Sequence, residues 1–319
     1  MKAAYFLGCN VALRTYEYDA AVRRIAEKLG IELVDCKDFV CCGYPAAPQD
    51  HTTFLALAAQ NLVAAEEMGV DYVISVCNSC SATLSKVNKL LKEDEKEREL
   101  INKILKNSIG KEFQGKLEVR HFLRFIYEEV GLGKIKSVIT NKLNPVRVAP
   151  HYGCHYLKPP EIFDFFEDPI VPHTAEDLMA LTGVVPIKYE NMKQCCGGAI
   201  LAVNEETSIK MVKEKLIHVH EAQADVLAVH CPFCNVMYSE YQKDPRIDLD
   251  FKIPVVFTPQ ILGLAMGYNA KALGIKKKVA KGFGIVAHGN LGIKKKVAKL
   301  FLEKEEASET KKEEIVVHG

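Results

Sequence analysis

Short apolar runs and helical stripes alternate along this chain. Ala3–Leu7 is apolar and aromatic and stops at Gly8-Cys9. Tyr16–Leu29 follows, with Ala20, Ala21, Ile25 and Leu29 at helical spacing and Gly30 as a stop. Ile31–Val34 reads as a strand. Asp50–Met68 reads as a helix, with Asp50 at its N-cap and Gly69 beyond its end. Tyr72–Val76 is a continuous apolar run, the pattern of a strand covered on both faces, and it ends at Cys77. The order then repeats. Val146–Ala149 leads to Cys154, and Thr174–Leu181 is helical, with Thr174 and Asp177 spaced as a capping pair. Asn204–Glu221 is helical with Asn204 as its cap, and Val226–Val229 runs into His230-Cys231. Alternating strand and helix predicts parallel α/β sheets, in which ligands collect beyond the carboxyl ends of the strands.

The cysteines repeat with the elements. The first set reads Cys9, 31 residues, Cys41-Cys42, 34 residues, Cys77-x-x-Cys80. The second reads Cys154, 40 residues, Cys195-Cys196, 34 residues, Cys231-x-x-Cys234. Cys41-Cys42-Gly43 answers Cys195-Cys196-Gly197, and Phe6-Leu7-Gly8-Cys9 answers His151-Tyr152-Gly153-Cys154. Two matched sets with one identical spacing mark an internal duplication. The fold expected is therefore two duplicated Rossmann-like parallel-sheet domains related by a pseudo-two-fold axis. Cys9, Cys77, Cys154 and Cys231 each follow a strand, so the thiols should converge on one edge of each half. Cys36 stands outside the pattern, because the matching position holds Glu190; it is expected to be a small buried hydrophobe.

Composition narrows the function classes. The chain has 319 residues, enough for two cores at roughly 150 residues per domain. Expected boundaries are 1–144 and 145–267 for the two cysteine-rich domains and 268–319 for a lysine-rich helical tail, with Gly131–Pro145 as the junction. Lys+Arg is 42 against 41 for Asp+Glu, so the balance gives no global attraction to nucleic acid. No run of 18 apolar residues exists, so no transmembrane segment is expected, and the opening apolar stretch is too short for a signal peptide. An odd cysteine count, 11, argues against a disulfide framework and for free thiols in a reducing cytoplasm. Lys92–Glu99 is eight consecutive charged residues, expected on a solvated helix junction. LGIKKKVAK occurs twice, at Leu273–Lys281 and Leu291–Lys299; solvated amphipathic segments are expected, since Glu303, Glu305 and Glu306 dilute the basic charge.

Clustered thiolates bind soft metals. Zinc closes its shell with four ligands, one fewer than each set offers. Adjacent cysteines reach one small ion only through a sharp bend, which Gly43 and Gly197 can provide, so zinc stays open. A thioredoxin-like dithiol at Cys77-x-x-Cys80 leaves three matched cysteines per half without a role. An iron–sulfur cluster spreads several irons over a few ångströms and can use adjacent thiolates on different irons. The ferredoxin spacing C-x2-C-x2-C-x3-C-P is absent.

The pattern C-x31–40-C-C-G-x34-C-x-x-C resembles the cysteine-rich "CCG" motif. Two complete copies without ferredoxin motifs resemble the B subunit of soluble heterodisulfide reductase, and the match runs from Met1 to about Tyr241. The resemblance implies two non-cubane 4Fe-4S clusters, one on Cys9, Cys41, Cys42, Cys77 and Cys80, the other on Cys154, Cys195, Cys196, Cys231 and Cys234. It implies reduction of the coenzyme M–coenzyme B heterodisulfide to two thiols. It also implies two partners, the small iron–sulfur subunit and the flavin subunit of heterodisulfide reductase. No dinucleotide-binding glycine fingerprint suggests that this chain binds flavin itself. Both substrate halves are anionic, so Arg14 and Lys158, near motif cysteines, are candidate substrate-binding cations, and His155 and His230 are candidate proton donors. The alternative is a non-catalytic electron-transfer or anchoring CCG subunit of another oxidoreductase complex, which would bind no disulfide.

Overall fold

The computed structural model describes residues 1–286 and 289–290. Two four-stranded sheets carry the architecture. The first contains β1 (Lys2–Phe6), β2 (Glu32–Asp35), β3 (Tyr72–Ser75) and β4 (Glu118–His121), in the order β2-β1-β3-β4. The second contains β5 (Arg147–His151), β6 (Val185–Pro186), β7 (Val226–Val229) and β8 (Val255–Phe257), in the order β6-β5-β7-β8. All pairings within both sheets are parallel, with Ala4 beside Val73 in one and Val148 beside Val226 in the other. The duplication seen in the cysteines is thus a duplication of topology.

Parallel neighbours need crossover connections, and the helices that supply them cover both faces of each sheet. That is why β7 is buried at all four positions and β1 at all but Lys2. In each sheet the chain leaves the first central strand toward one edge and returns on the other side. The loops after β1 and β3 therefore part, opening a crevice at their carboxyl ends, and so do those after β5 and β7. Gly8-Cys9, Cys77, Gly153-Cys154 and Cys231 occupy these four loops.

Local signals set the helices around the crevice. Asp50 caps the helix His51–Glu66 by accepting the Thr53 N–H at 3.0 Å, and Asn204 caps Glu205–Glu221 by accepting that of Thr207 at 2.9 Å. The run of eight charges breaks at Asp94, which caps Glu95–Ile109 by accepting the Glu97 N–H at 3.1 Å. One capping expectation fails. The helix Thr174–Ala180 follows His173 with no side-chain cap, because the Thr174 hydroxyl donates to the buried carboxylate of Glu167 instead. Sequence patterning also gave no sign of the short strand β6 or of the helical turns Cys9–Arg14 and Cys154–Leu157.

The halves share one apolar core. Tyr18 of the first half stacks on Phe257 of the second with ring centroids 4.0 Å apart, and its hydroxyl donates to the His230 carbonyl at 2.8 Å. Beyond β8, the helix Thr258–Ala265 packs on Tyr16–Leu29. The first LGIKKKVAK copy then returns to the body. Leu273, Ile275 and Ala280 are buried, while Lys276 and Lys277 are exposed. The Leu273 carbonyl accepts from Gln260 at 2.8 Å. The second copy, Leu291–Lys299, and the glutamates after it lie outside the described residues. No helix among the described residues is long and apolar enough to cross a membrane.

Candidate metal centre

The ten motif cysteines are all free thiols. Gly43 and Gly197 turn the chain after each adjacent pair, with φ of +90° and +81°, in the left-handed region that glycine enters without steric cost. A side chain there would have no room: a Cβ on Gly43 would sit 2.9 Å from the Phe54 carbonyl oxygen, and one on Gly197 would sit 2.9 Å from the Ser208 hydroxyl. The bend places the two members of each pair in different environments. Cys41 is exposed and Cys42 buried; Cys195 is half-buried and Cys196 buried.

Within the first half, Cys42 acts most strongly on Cys80, and Cys80 also acts on Cys77. Cys9 influences Cys41 from the exposed rim. The second half repeats these relations. Cys196 acts on Cys234, Cys234 on Cys231, and Cys154 lies 3.8 Å from Cys195. The two series join because the largest influence on the Cys77 thiol is that of Cys231. These two residues are equivalent positions of the duplication. A residue that meets its own counterpart lies on the symmetry axis, as in an isologous interface. The thiols therefore form one continuous series across both halves.

Electrostatics follow this geometry. Interaction with Cys80 holds Cys42 down at about 7, while the same contact pushes Cys80 up. Interaction with Cys195 raises Cys154, and interaction with Cys154 lowers Cys195. Cys231 is lowered first by Cys234, then by Cys77, and further by N–H groups of the Cys234 and Asn78 backbone. A thiol lowered by neighbouring donors is poised to ligate as thiolate.

The donor set suits a multi-iron cluster. Ten soft ligands are present in two groups of five, and the backbone at Gly8 and Gly198 runs close beneath them. A Cβ on Gly8 would lie 3.2 Å from the Cys80 sulfur, and one on Gly198 would lie 3.4 Å from the Cys196 sulfur. Among the described residues, no three Cys, His, Asp or Glu side chains are drawn about one point tightly enough for a single metal ion. Cys36 stays apart, half-buried in the turn after β2.

Beside the second set lies a cavity of about 20 Å³, room for about one water. All five second-set cysteines line it, together with His155, Tyr44, Asn78 and Ser79, and none of the first-set cysteines does. Neither candidate cation, Arg14 or Lys158, is at this cavity, and no lysine or arginine lines it. Arg14 is exposed and paired with Glu240 at 3.6 Å. Lys158 is exposed, one turn beyond Cys154. Of the two histidines, His155 is at the cavity, with Nδ1 3.3 Å from the Cys154 sulfur, and burial lowers its pKa. His230 is fully buried behind Cys231, and burial holds its ring neutral.

Three residues gave no signal of their own in the sequence. Tyr44 follows the Cys-Cys-Gly bend of the first half and places its ring edge-on to His155 with centroids 5.0 Å apart. Burial and then the Cys154 charge raise its pKa, so it keeps its proton. Asn78 lies between Cys77 and Cys80 and donates its amide to the Tyr152 carbonyl at 2.7 Å, tying the first half to the second beside Gly153. Lys215 is fully buried in the helix Glu205–Glu221. For Lys215, aligning the two repeats would have given the signal, because it stands where the first half has Asn61.

Comparison with known proteins agrees with this construction. The cysteine-rich (CCG) domain model matches residues 3–85 and 148–238, which contain the two cysteine sets. The chain is 34% identical over 292 residues to the B subunit of ferredoxin:CoB-CoM heterodisulfide reductase from Methanosarcina mazei, covering 90% of this chain and 96% of that protein. It is 35% identical over 284 residues to a protein of Archaeoglobus profundus described as like the heterodisulfide reductase B subunit, covering 86% and 94%. The 8-methylmenaquinol:fumarate reductase membrane anchor subunit of Wolinella succinogenes is 29% identical over 279 residues, covering 86% and 96%. A crystal structure of a hypothetical protein from Helicobacter pylori shares the fold, with a TM-score of 0.69 at 18% identity over 86% of this chain and 50% of that one. With both cysteine sets complete and the match running nearly end to end, the chain belongs to the heterodisulfide reductase B-subunit family of cysteine-rich CCG-domain proteins.

Proposed function

We propose that this chain is the disulfide-cleaving subunit of a heterodisulfide reductase. In this reading each five-cysteine set holds one non-cubane 4Fe-4S cluster, and the substrate is the coenzyme M–coenzyme B heterodisulfide. The single observation that carries it is the presence of two complete five-cysteine sets in duplicated domains, tied across the seam where Asn78, between Cys77 and Cys80, donates to the Tyr152 carbonyl at 2.7 Å. Cleavage of a disulfide to two thiols takes two electrons and two protons. Clusters held by the two cysteine sets would supply those electrons singly, one to each sulfur, so that no thiyl radical need be released.

The chain's own residues hold and protonate. Cys9, Cys41, Cys42, Cys77 and Cys80 bind one centre, and Cys154, Cys195, Cys196, Cys231 and Cys234 the other. The cavity lies against the second set, so one substrate sulfur approaches there, between Tyr44 and His155. Tyr44, which holds its proton, and His155 are the groups placed to hand a proton to a leaving thiolate. His230 acts only by packing, since its ring is buried and neutral. Arg14 and Lys158 meet the anionic ends of the substrate from the rim, outside the cavity itself. Cys9 and Cys41 are the exposed members of their set, so a centre they hold would take electrons there from the iron–sulfur partner, fed in turn by the flavin partner.

The test is anaerobic. The native complex is isolated, iron, sulfide and flavin are counted, and turnover is measured with the mixed disulfide. Two clusters' worth of iron and sulfide per chain with disulfide-dependent electron uptake is the expected result. Full cluster content with no electron uptake by any disulfide would favour the electron-transfer or anchoring role, and stoichiometric zinc would end the iron–sulfur reading.

A further inference from the structure

The two halves match residue for residue between Cys41 and Cys80 and between Cys195 and Cys234, so the side chains that differ there distinguish the two centres. One difference is a charge. Asn61 of the first half and Lys215 of the second occupy the same position on equivalent helices, 19 residues after Cys42 and Cys196 respectively. Both are buried, at 1% and 0% exposure.

Asn61 is a neutral clamp. Its amide nitrogen donates to the Cys41 carbonyl at 3.1 Å and to the Leu57 carbonyl at 2.8 Å, and its oxygen accepts the Val40 N–H at 2.8 Å. These bonds fix the chain entering the Cys41-Cys42 bend and add no charge. Lys215 holds the corresponding segment differently. Its ammonium donates to the Asn191 carbonyl, four residues before Cys195, and lies 5.1 Å from the centroid of the Tyr189 ring. Burial lowers its pKa, and although Cys234, Cys196, Glu214 and Cys195 oppose the shift, the net value is about 7. Three of those four neighbours are second-set thiols. Negative charge on those thiolates favours the ammonium form, so one cysteine set has a buried amine held four residues before it, where the other set has a neutral amide.

We propose that Lys215 makes the second-half centre the more easily reduced of the two, so that the first electron settles beside the substrate cavity. The inference rests on the two-cluster reading above. A buried cation favours the state with one more negative charge, and in a poorly screened interior the effect is felt by the near centre far more than by the far one. The balance is unchanged: two electrons from the iron–sulfur partner and two protons convert one disulfide into two thiols. Lys215 contributes order. The second-half centre lines the cavity and is charged first; the first-half centre, with exposed Cys9 and Cys41, is charged second. Lys215 is a positioning residue that acts through its charge on that centre.

The experiment is an anaerobic redox titration of the cluster-loaded complex, followed by electron paramagnetic resonance, with iron counted on the same samples. The native protein should show two separate midpoints. Lys215→Met keeps the length of the side chain and removes the charge; it should move the higher midpoint to a more negative potential and narrow the gap, leaving the lower one in place. Lys215→Arg should preserve the gap. If Lys215→Met does not assemble with full iron, the native and Lys215→Arg midpoints still decide: two coincident midpoints, or a gap lost in the arginine variant, overturn the proposal. Two intact clusters with midpoints unmoved by Lys215→Met overturn it alone. Fewer than two clusters in the native chain overturn it together with the reading it rests on.

Discussion

The two halves have one backbone and two chemistries. Strand order, the Gly43 and Gly197 bends and the Asp50 and Asn204 caps coincide. Around that shared frame the first half places Tyr44, Asn61, Asn78 and Ser79 where the second has Gly198, Lys215, Pro232 and Phe233. The first set opens outward, with Cys9 and Cys41 exposed; the second is more enclosed and lines the cavity. Residues that set the backbone have been kept equal, while residues that set charge and access have diverged. In the proposed function, this difference gives the duplicated site a direction, one side for electrons to enter and one for substrate to meet.

The largest expected effect tests whether both sides are needed. Cys42→Ser and Cys196→Ser should each remove one centre's worth of iron and sulfide and reduce disulfide turnover to near background, a greater loss than the ~10–100-fold typical of a lost outer-shell partner. A Cys42→Ser protein that loses its cluster yet keeps most of its turnover would reduce the first half to a relay or support.

Next come the bends. Gly43→Ala and Gly197→Ala each force a Cβ to 2.9 Å from an oxygen in the left-handed region. Each should lower stability by about 2 kcal/mol, read from the denaturant midpoint. Losses that differ widely between the two would show that the bends are not under equal demand.

Asn78→Ala removes the bond to the Tyr152 carbonyl and leaves that acceptor buried beside Gly153. About 1–2 kcal/mol should be lost in the same measurement. Because Pro232 stands at the equivalent place, no second-half substitution should reproduce the effect; an unchanged midpoint in Asn78→Ala would remove this tie between the halves.

The smallest effect separates the two helix caps by pH. The Thr53 N–H and hydroxyl hold the Asp50 carboxyl below its ordinary value of 3.8. Its folded-state pKa is depressed, so its stabilisation is complete above the unfolded value and is lost as pH falls through the folded one. Asn204 does not titrate. Asp50→Asn should flatten the acid limb of the stability curve below about pH 4, while Asn204→Ala should cost about 1 kcal/mol at every pH. An acid limb that is the same with Asp50→Asn would show that other carboxylates dominate it.

Much of this molecule was legible in its sequence for identifiable reasons. The strand–helix alternation gave the α/β class because apolar spacing reflects which faces are covered. Asp50 and Asn204 were legible as caps because capping is local, completed within three residues. Thr174 was misread because its hydroxyl found Glu167, a partner that local spacing does not reveal. Tyr44 was invisible because its neighbour His155 is brought to it only when the halves close. Cys36, expected to be buried, is only half-buried in the turn after β2, because its lack of a repeat partner says nothing of how a loop packs.

What the sequence determined by itself is the inventory: two sets of five thiols, their spacing, the glycines that bend the chain after each pair, and through these the family. What only the tertiary structure decided is how the inventory is shared. The Cys77 thiol feels Cys231, Asn78 holds Tyr152, Lys215 is buried on the helix behind one set, and the cavity lies against that same set. The physical reason is range. Caps are closed by bonds within three residues, and the glycine bends and cysteine spacings are written in residue identity, so they leave a mark in the chain. Contact across a pseudo-two-fold axis, burial of a charge and the opening of a crevice depend on surfaces far apart in the sequence, and exist only once the two sheets have packed together.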